Sequence, residues 1–336
     1  MTIKDLAAIT GYAVGTVSRA LNDHPNVSDK ARKAILKAAK EYGFQLNVNA
    51  KQLKQSTSNN ILVIVKGTGN ELFAEMLEYI QTLIARTRYQ LVVDYLDEDL
   101  NEVIRAVQLC REKKPLGILF LGGNARNFVN DFDKIDIPCV EVTNDASTLN
   151  FHNLSSVTTD DREAARCAID TLVESGHRKI AVIGGDRKVS DISRLRYEGC
   201  QLSFREHGIE FDPQRDYQGV RFSCQDGYTA TKKLLNNGRN YTAIFAISDV
   251  MAIGAIRALW EAGKQVPQDV SIIGLDGLAL GKYLIPQLST VKQDFKTIAL
   301  RSVAILLDAI EEGVPARHET VSFQVQCAES IRPISE

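Results

Sequence analysis

The amino-acid sequence predicts an α/β protein: an N-terminal three-helix helix-turn-helix unit followed by a two-lobed body of doubly wound parallel sheets. Three observations predict it. Two short helical patterns joined by a tight Gly-containing turn open the chain. From Ile61 onward, short apolar runs alternate with amphipathic stretches, the pattern of buried parallel strands covered by helices. That alternation runs through twice, which predicts two lobes with a ligand cleft between them.

Taken in order, Thr2-Ile3-Lys4-Asp5 has the spacing of a capping box. The helix it opens, over residues 3–9, is expected to bury Ile3, Leu6 and Ile9 and to end at Thr10-Gly11. A second helix follows over 14–21, a loop over 22–26, and a third helix over 29–42 capped by Ser28. Gly15-Thr16-Val17-Ser18-Arg19 puts a small residue, two hydroxyls and an arginine near the start of the second helix. Side chains there can reach base edges and phosphates in a major groove. In the body, strands are expected over 61–65, 91–95, 117–121 and 139–142, with helices over 71–88 and 101–113. The second set has strands over 179–183, 243–247 and 270–275, and helices over 161–175, 194–207, 226–236 and 249–262. In such sheets ligands sit beyond the carboxyl ends of the strands, so the residues just after each strand are the site candidates.

Composition narrows the function. The chain has 336 residues, 44% hydrophobic and 24% charged, a globular balance that excludes disorder, collagen and coiled coil. No apolar run approaches the roughly 18 residues a membrane span needs. The N-terminal residues lack the apolar stretch of a secretory signal, so a cytoplasmic protein without a membrane partner is expected. Six cysteines without a C-x-x-C pair read as buried free thiols, with no metal site. The net charge of −2 argues against nucleic acid until it is resolved along the chain. Residues 1–60 carry nine basic and four acidic side chains, a net of +5, which leaves −7 on the remainder. A basic unit joined to an acidic body suits a nucleic-acid-binding module fused to something else. A solvated helical face or a three-helix protein-interaction module would carry the same charge.

Thr2-Ile3-Lys4-Asp5-Leu6-Ala7, Thr16-Val17-Ser18-Arg19-Ala20-Leu21-Asn22 and Val27-Ser28 closely resemble the headpiece of the lactose/galactose-repressor (LacI/GalR) family. Asn47-Val48-Asn49-Ala50-Lys51-Gln52-Leu53 resembles that family's hinge, and the likeness continues through the body. The resemblance implies a headpiece at 1–45, a hinge at 46–59, and a periplasmic-binding-protein-like body at 60–336 that binds an effector and dimerises. It implies phosphate contacts from Thr16, Ser18 and Asn22, a base contact from Arg19, and operator preference set at Val14 and Gly15. Thr2 joins this DNA-contacting set, as do Asn47, Ala50 and Leu53 of the hinge, Leu53 as a minor-groove wedge. Two departures stand out: Tyr12-Ala13 replaces the family's usual Val-Ser, which removes a cap hydroxyl, and Leu46 stands where proline is common.

In the body, Asn70-Glu71-Leu72-Phe73 resembles the family's Asn-Pro-Phe-Phe without its proline. The stretches 193–199, 243–249, 270–276 and 288–294 carry the rest of the likeness. It places Asn70, Phe73, Arg196, Phe222, Ser248, Asp249 and Asp276 at the effector. Arg196 and Asp276 suit hydroxyls as donor and acceptor, Phe222 suits the apolar face of a sugar ring, and Ser248 stands where asparagine is commoner. An interlobe Arg196–Asp276 ion pair is the plainer alternative. The function implied is a transcriptional repressor on near-palindromic double-stranded operator DNA, acting as a homodimer, controlled by a small effector, most readily a carbohydrate, with no catalysis and no cofactor. The chain lacks a heptad tail, so a tail-zippered tetramer is not expected. A purine or other metabolite on the same scaffold is the alternative effector, and a sugar-binding protein without a DNA role is a further rival. Gly67-Thr68-Gly69 and Asp94 make half of a dinucleotide fingerprint, but Leu72 occupies the third glycine position. His177 reads as a structural turn residue before a strand.

Overall fold

Thr2 caps the first helix, α1 (Ile3–Thr10), in a reciprocal box: Asp5 N–H donates to Thr2 Oγ1, and Thr2 N–H donates to Asp5 Oδ2 at 2.7 Å. The computed structural model describes residues 2–21, 27–44, 58–67 and 69–334, which fall into two units, Met1–Ser58 and Asn59–Glu336. In the first unit α2 (Val14–Leu21) and α3 (Asp29–Glu41) complete a three-helix cluster around Leu6, Val17, Ala20 and Ile35. Ile9 is a correction. It is 46% exposed, because the buried stripe of α1 runs through Ile3, Leu6, Ala7 and Thr10 and Ile9 lies further round the helix.

The second unit holds two six-stranded sheets. In chain order its elements are β1 (Asn60–Lys66), α4 (Glu71–Ile84), β2 (Gln90–Leu96), α5 (Glu102–Lys113), β3 (Gly117–Leu121), α6 (Ala125–Asp131), β4 (Cys139–Val142) and β5 (Leu154–Thr159). There follow α7 (Asp161–Glu174), β6 (Ile180–Gly184), α8 (Asp191–Glu206), β7 (Tyr217–Gly219), α9 (Cys224–Leu235), β8 (Ala243–Ala246), α10 (Asp249–Glu261) and β9 (Ser271–Asp276). The chain closes with β10 (Ser289–Gln293), α11 (Phe295–Glu312), β11 (His318–Val321) and β12 (Phe323–Gln326). The first sheet has the order β11-β5-β4-β3-β1-β2 and every pairing in it is parallel. The second has the order β12-β10-β9-β8-β6-β7.

β1 shows why these runs become strands buried on both faces. Ile61, Val63 and Val65 pack into one core, while Leu62 and Ile64 face a second core with Phe120, Phe128 and Phe132. Polar caps set the helix starts: Asn70, Asn101, Asn124, Asp160, Ser190, Ser223 and Asp294 each accept a backbone N–H of the first turn. The chain passes between the lobes three times, from β5 to α7, from β10 to α11, and from β11 to β12. The lobes are therefore not two consecutive halves.

Four further expectations change. One pairing, β10 with β12, is antiparallel, since the final crossing brings β12 back along the edge of the second sheet. The helix expected over 71–88 ends at Ile84, where Thr87 turns the chain toward β2 through a bond from its hydroxyl to the Ile84 carbonyl. Helix α8 begins at Asp191, three residues before the expected start, because Ser190 supplies the cap. Cys224 and Cys327 are exposed thiols, not buried ones. Among the described residues no helix is long and apolar enough to cross a membrane.

Candidate ligand cavity and DNA-reading helix

A cavity of about 400 Å³ opens between the lobes of the second unit. Its lining is drawn from strand ends: Lys66 of β1, Gly122 and Gly123 after β3, Thr143 and Asn144 after β4, Gly185 after β6, Asp276 of β9 and Gln293 of β10. This is where a doubly wound sheet places ligands. Glycine is required at two of these positions by close approach. A Cβ at Gly123 would lie 2.9 Å from the Glu141 carboxyl carbon, and one at Gly185 would lie 2.9 Å from the Phe222 ring. Thr143 (φ 79°) and Asp276 (φ 128°) hold positive φ at the cavity wall, a conformation that non-glycine residues adopt at a cost.

Of the residues expected at the effector, Asn70, Phe73, Arg196, Phe222 and Asp276 line the cavity. Asn70 also caps α4, its Oδ1 accepting from Leu72 N–H at 3.1 Å. Ser248 and Asp249 do not line it. Ser248 lies behind Asp276 and donates to its Oδ2 at 2.7 Å. Asp249 is fully buried, accepting from the Gly277 and Leu278 amides at 2.8 Å each and from the Thr290 hydroxyl at 2.7 Å. Burial, followed by the neighbouring Asp276 charge, pushes its carboxyl up to about 7.

The floor of the second lobe is an ion network. Arg196 Nε donates to Asp161 Oδ1 at 2.7 Å, and its Nη1 lies 3.6 Å from Asp276 Oδ1 and donates to the Ile247 carbonyl. Arg196, Asp276, Asp161 and Ile247 all belong to the second lobe or its edge, so the Arg196–Asp276 pair lies within a lobe, not between lobes. Burial opposes the guanidinium charge, but Asp161 and Asp276 outweigh it and hold Arg196 protonated. Gln293 adds a donor to Asp276 Oδ1 at 2.9 Å.

The first lobe contributes a polar cluster that the sequence reading missed. Lys66 Nζ meets the buried Glu102 at 2.5 Å, and Glu102 also accepts from Asn124 N–H at 2.7 Å and Asn127 Nδ2 at 2.8 Å. Asn144 Nδ2 donates to Glu141 Oε1 at 2.7 Å and to the Gly123 carbonyl at 3.1 Å. Burial and then the Glu102 charge push the Glu141 carboxyl well above its usual range. Glu141 Oε2 and Asn144 Oδ1 are buried without a hydrogen-bond partner. The available signal was a charged or amide residue inside or just after an apolar strand, as in Val65-Lys66 and Val140-Glu141-Val142-Thr143-Asn144.

At the mouth the lobes meet through charges. Arg221, after β7, reaches Glu98 at 2.7 Å, Asp97 at 3.2 Å, and Asp99, all after β2 of the other lobe. Asn124 Nδ2 donates to the Val189 carbonyl at 2.5 Å and Ala125 N–H to Asp191 Oδ2 at 3.1 Å. Two tempting groups lie elsewhere. Asp94 is clamped by Arg105 through two bonds of 2.7 and 2.8 Å. His177 is buried between Thr242 and the Arg332 carbonyl, and burial depresses its pKa.

In the first unit, α2 presents Val14 (42% exposed), Gly15 and Arg19 to solvent, with Thr16 and Ser18 half-buried at their side. Arg19 Nε donates back to the Gly15 carbonyl at 3.2 Å, which lays the guanidinium along the helix. Ala13 offers no side-chain acceptor to the amides of Thr16 and Val17, which lie 2.8 and 3.1 Å from its carbonyl. Thr2 is exposed and occupied by its cap. Asn22, Asn47, Ala50 and Leu53 lie outside the described residues.

Comparison with known proteins agrees with this division. Residues 2–47 match the family described as bacterial regulatory proteins, lacI family, and residues 169–329 match a periplasmic binding protein-like domain. The HTH-type transcriptional regulator MalR of Clostridium butyricum is 35% identical over 95% of this chain and 95% of its own. Among solved structures, the lac repressor dimer bound to operator and the anti-inducer ONPF has a TM-score of 0.74 at 24% identity, covering 99% of each chain. The transcriptional regulator CelR–cellobiose complex has a TM-score of 0.73 at 23% identity, covering 98% of this chain and 99% of that one. These two establish likeness of fold.

Proposed function

The chain belongs to the lacI family of bacterial regulatory proteins, a family of transcriptional regulators, and on that premise we propose that a sugar or sugar derivative held between its lobes sets its affinity for operator DNA. The observation that carries this reading is the composition of the cavity. A buried guanidinium–carboxylate floor faces two phenylalanines, Phe73 and Phe222. Fixed donors and acceptors suit ring hydroxyls, and aromatic walls suit the apolar face of a ring. A neighbour of the same fold was solved with cellobiose, which fits this reading.

The mechanism follows from linkage. A ligand shifts the equilibrium between lobe arrangements only by its differential affinity for them, and operator affinity changes by the same coupling. We place the reading surface on Val14, Gly15, Thr16, Ser18, Arg19 and Asn22, and a hinge at 46–59 whose Leu53 enters the minor groove. Two copies of the chain then read two half-sites of a near-palindromic operator. A fork such as that of Arg19 matches guanine O6 and N7.

Arg196→Ala tests the site. Operator binding, read by fluorescence anisotropy, is expected to persist while its response to the effector is lost. Circular dichroism checks that the body tolerates an unpaired Asp161, and a full effector response in the folded variant contradicts the assignment.

A further inference from the structure

Resting on the sugar reading above, we infer that the effector is uncharged: a neutral polyhydroxy compound, not its phosphorylated or acid form. Three features of the cavity carry this.

First, the cations at the lining among the described residues are Lys66, Arg196 and Arg221, and each already has carboxylate partners. Lys66 faces Glu102, Arg196 faces Asp161 and Asp276, and Arg221 faces three consecutive acids. Arg187, in the mouth segment beside Asp186, is not part of the lining. Its guanidinium lies 4.1 Å from the Tyr197 ring centre and 4.8 Å from that of Tyr217. Second, Glu98, Asp99, Asp186 and Asp276 line the cavity themselves, so an arriving anion meets an acid-rich wall with no cation to spare.

Third, the helix N-termini that open on the cavity carry side-chain caps of their own. Such ends are ready-made anion sites. Here Asn70, Asn124 and Ser190 cap α4, α6 and α8 with their own side chains, and Glu71 and Asp191 bring negative charge to the first turns of α4 and α8.

The test uses the full chain and compounds paired by charge: glucose with glucose 6-phosphate, ribose with ribose 5-phosphate, and cellobiose with cellobionate, together with hypoxanthine. Thermal shift finds binders and calorimetry gives their Kd. At least one neutral sugar is expected to bind, tenfold or more tighter than its anionic partner. An anionic member that binds as tightly as its neutral partner, or tighter, overturns the inference and leaves the sugar reading standing. A shift from hypoxanthine alone, or from no compound at millimolar concentration, counts against the sugar reading itself and removes the inference with it. A second variant keeps the electrostatic argument exposed. Asp97→Asn, Glu98→Gln and Asp99→Asn together free Arg221 at an exposed site, and the tenfold preference is expected to shrink severalfold. An unchanged ratio overturns the role given to the pairing.

Discussion

Ala13 stands where a cap hydroxyl would satisfy an amide at the start of α2. Restoring it by Ala13→Ser is expected to stabilise the headpiece by about 1 kcal/mol and to tighten operator binding, read by melting of the isolated unit and by anisotropy; no change in either contradicts the reading of this departure. Asp249 makes the opposite kind of prediction. Its carboxyl is pushed up to about 7 in the folded chain by burial and then by the charge on Asp276. Below about pH 4 both folded and unfolded chains hold that proton, so the group is neutral to folding there. Between about pH 4 and 7 the unfolded chain releases it while the folded chain keeps it, and stability falls as pH rises, on the order of a few kcal/mol in all. Urea unfolding at pH 5 and pH 8 is expected to show a larger loss in the wild type than in Asp249→Asn, and equal losses contradict it. The contrast between Asp249 and Asp276 also marks what sequence could tell. Both sit just after apolar strands, and the motif nominates both. Asp276 ends its strand at the cavity, whereas Asp249 opens a helix and is consumed by the amides of Gly277 and Leu278.

Most helices and central strands were legible because their patterns are local: Gly117–Leu121 is an unbroken apolar run, and Cys139–Val142 is broken by Glu141 alone. β5 was not legible, since Ser155, Ser156, Thr158 and Thr159 interrupt its apolar run although all four are buried. Three of those hydroxyls are satisfied across the fold, Ser155 by Arg317 N–H, Ser156 by His318 and Thr158 by the Thr143 carbonyl, and no local pattern signals such partners. The three crossings between lobes were hidden for the same reason. β2 and β7 are the edge strands of their sheets, next to β1 and β6 respectively, and the acids after one meet Arg221 after the other. Because Arg221, Asp97 and Asp99 are exposed and Glu98 is only half-buried, their attraction is weak and screened by salt. Arg221→Ala is expected to weaken effector binding roughly twofold to fivefold and to flatten its dependence on NaCl, measured by calorimetry at low and high salt. Equal affinity and equal salt dependence would show that the contact does not couple the lobes.

Across the whole chain the net charge of −2 conceals a partition into a basic N-terminal segment and an acidic body. Counterion release makes binding through the basic unit salt-dependent, and the acidic body disfavours attachment elsewhere. The proposed reading gives DNA recognition to the first unit and its control by a neutral sugar to the second. The most direct measurement selects DNA from a randomised pool with the full chain, then titrates the selected duplex with and without the sugar that stabilises the body. The expected result is a near-palindromic site whose affinity changes by roughly tenfold or more when the sugar is bound. A pool without an enriched sequence, or an operator affinity indifferent to a sugar that binds the body, would contradict it.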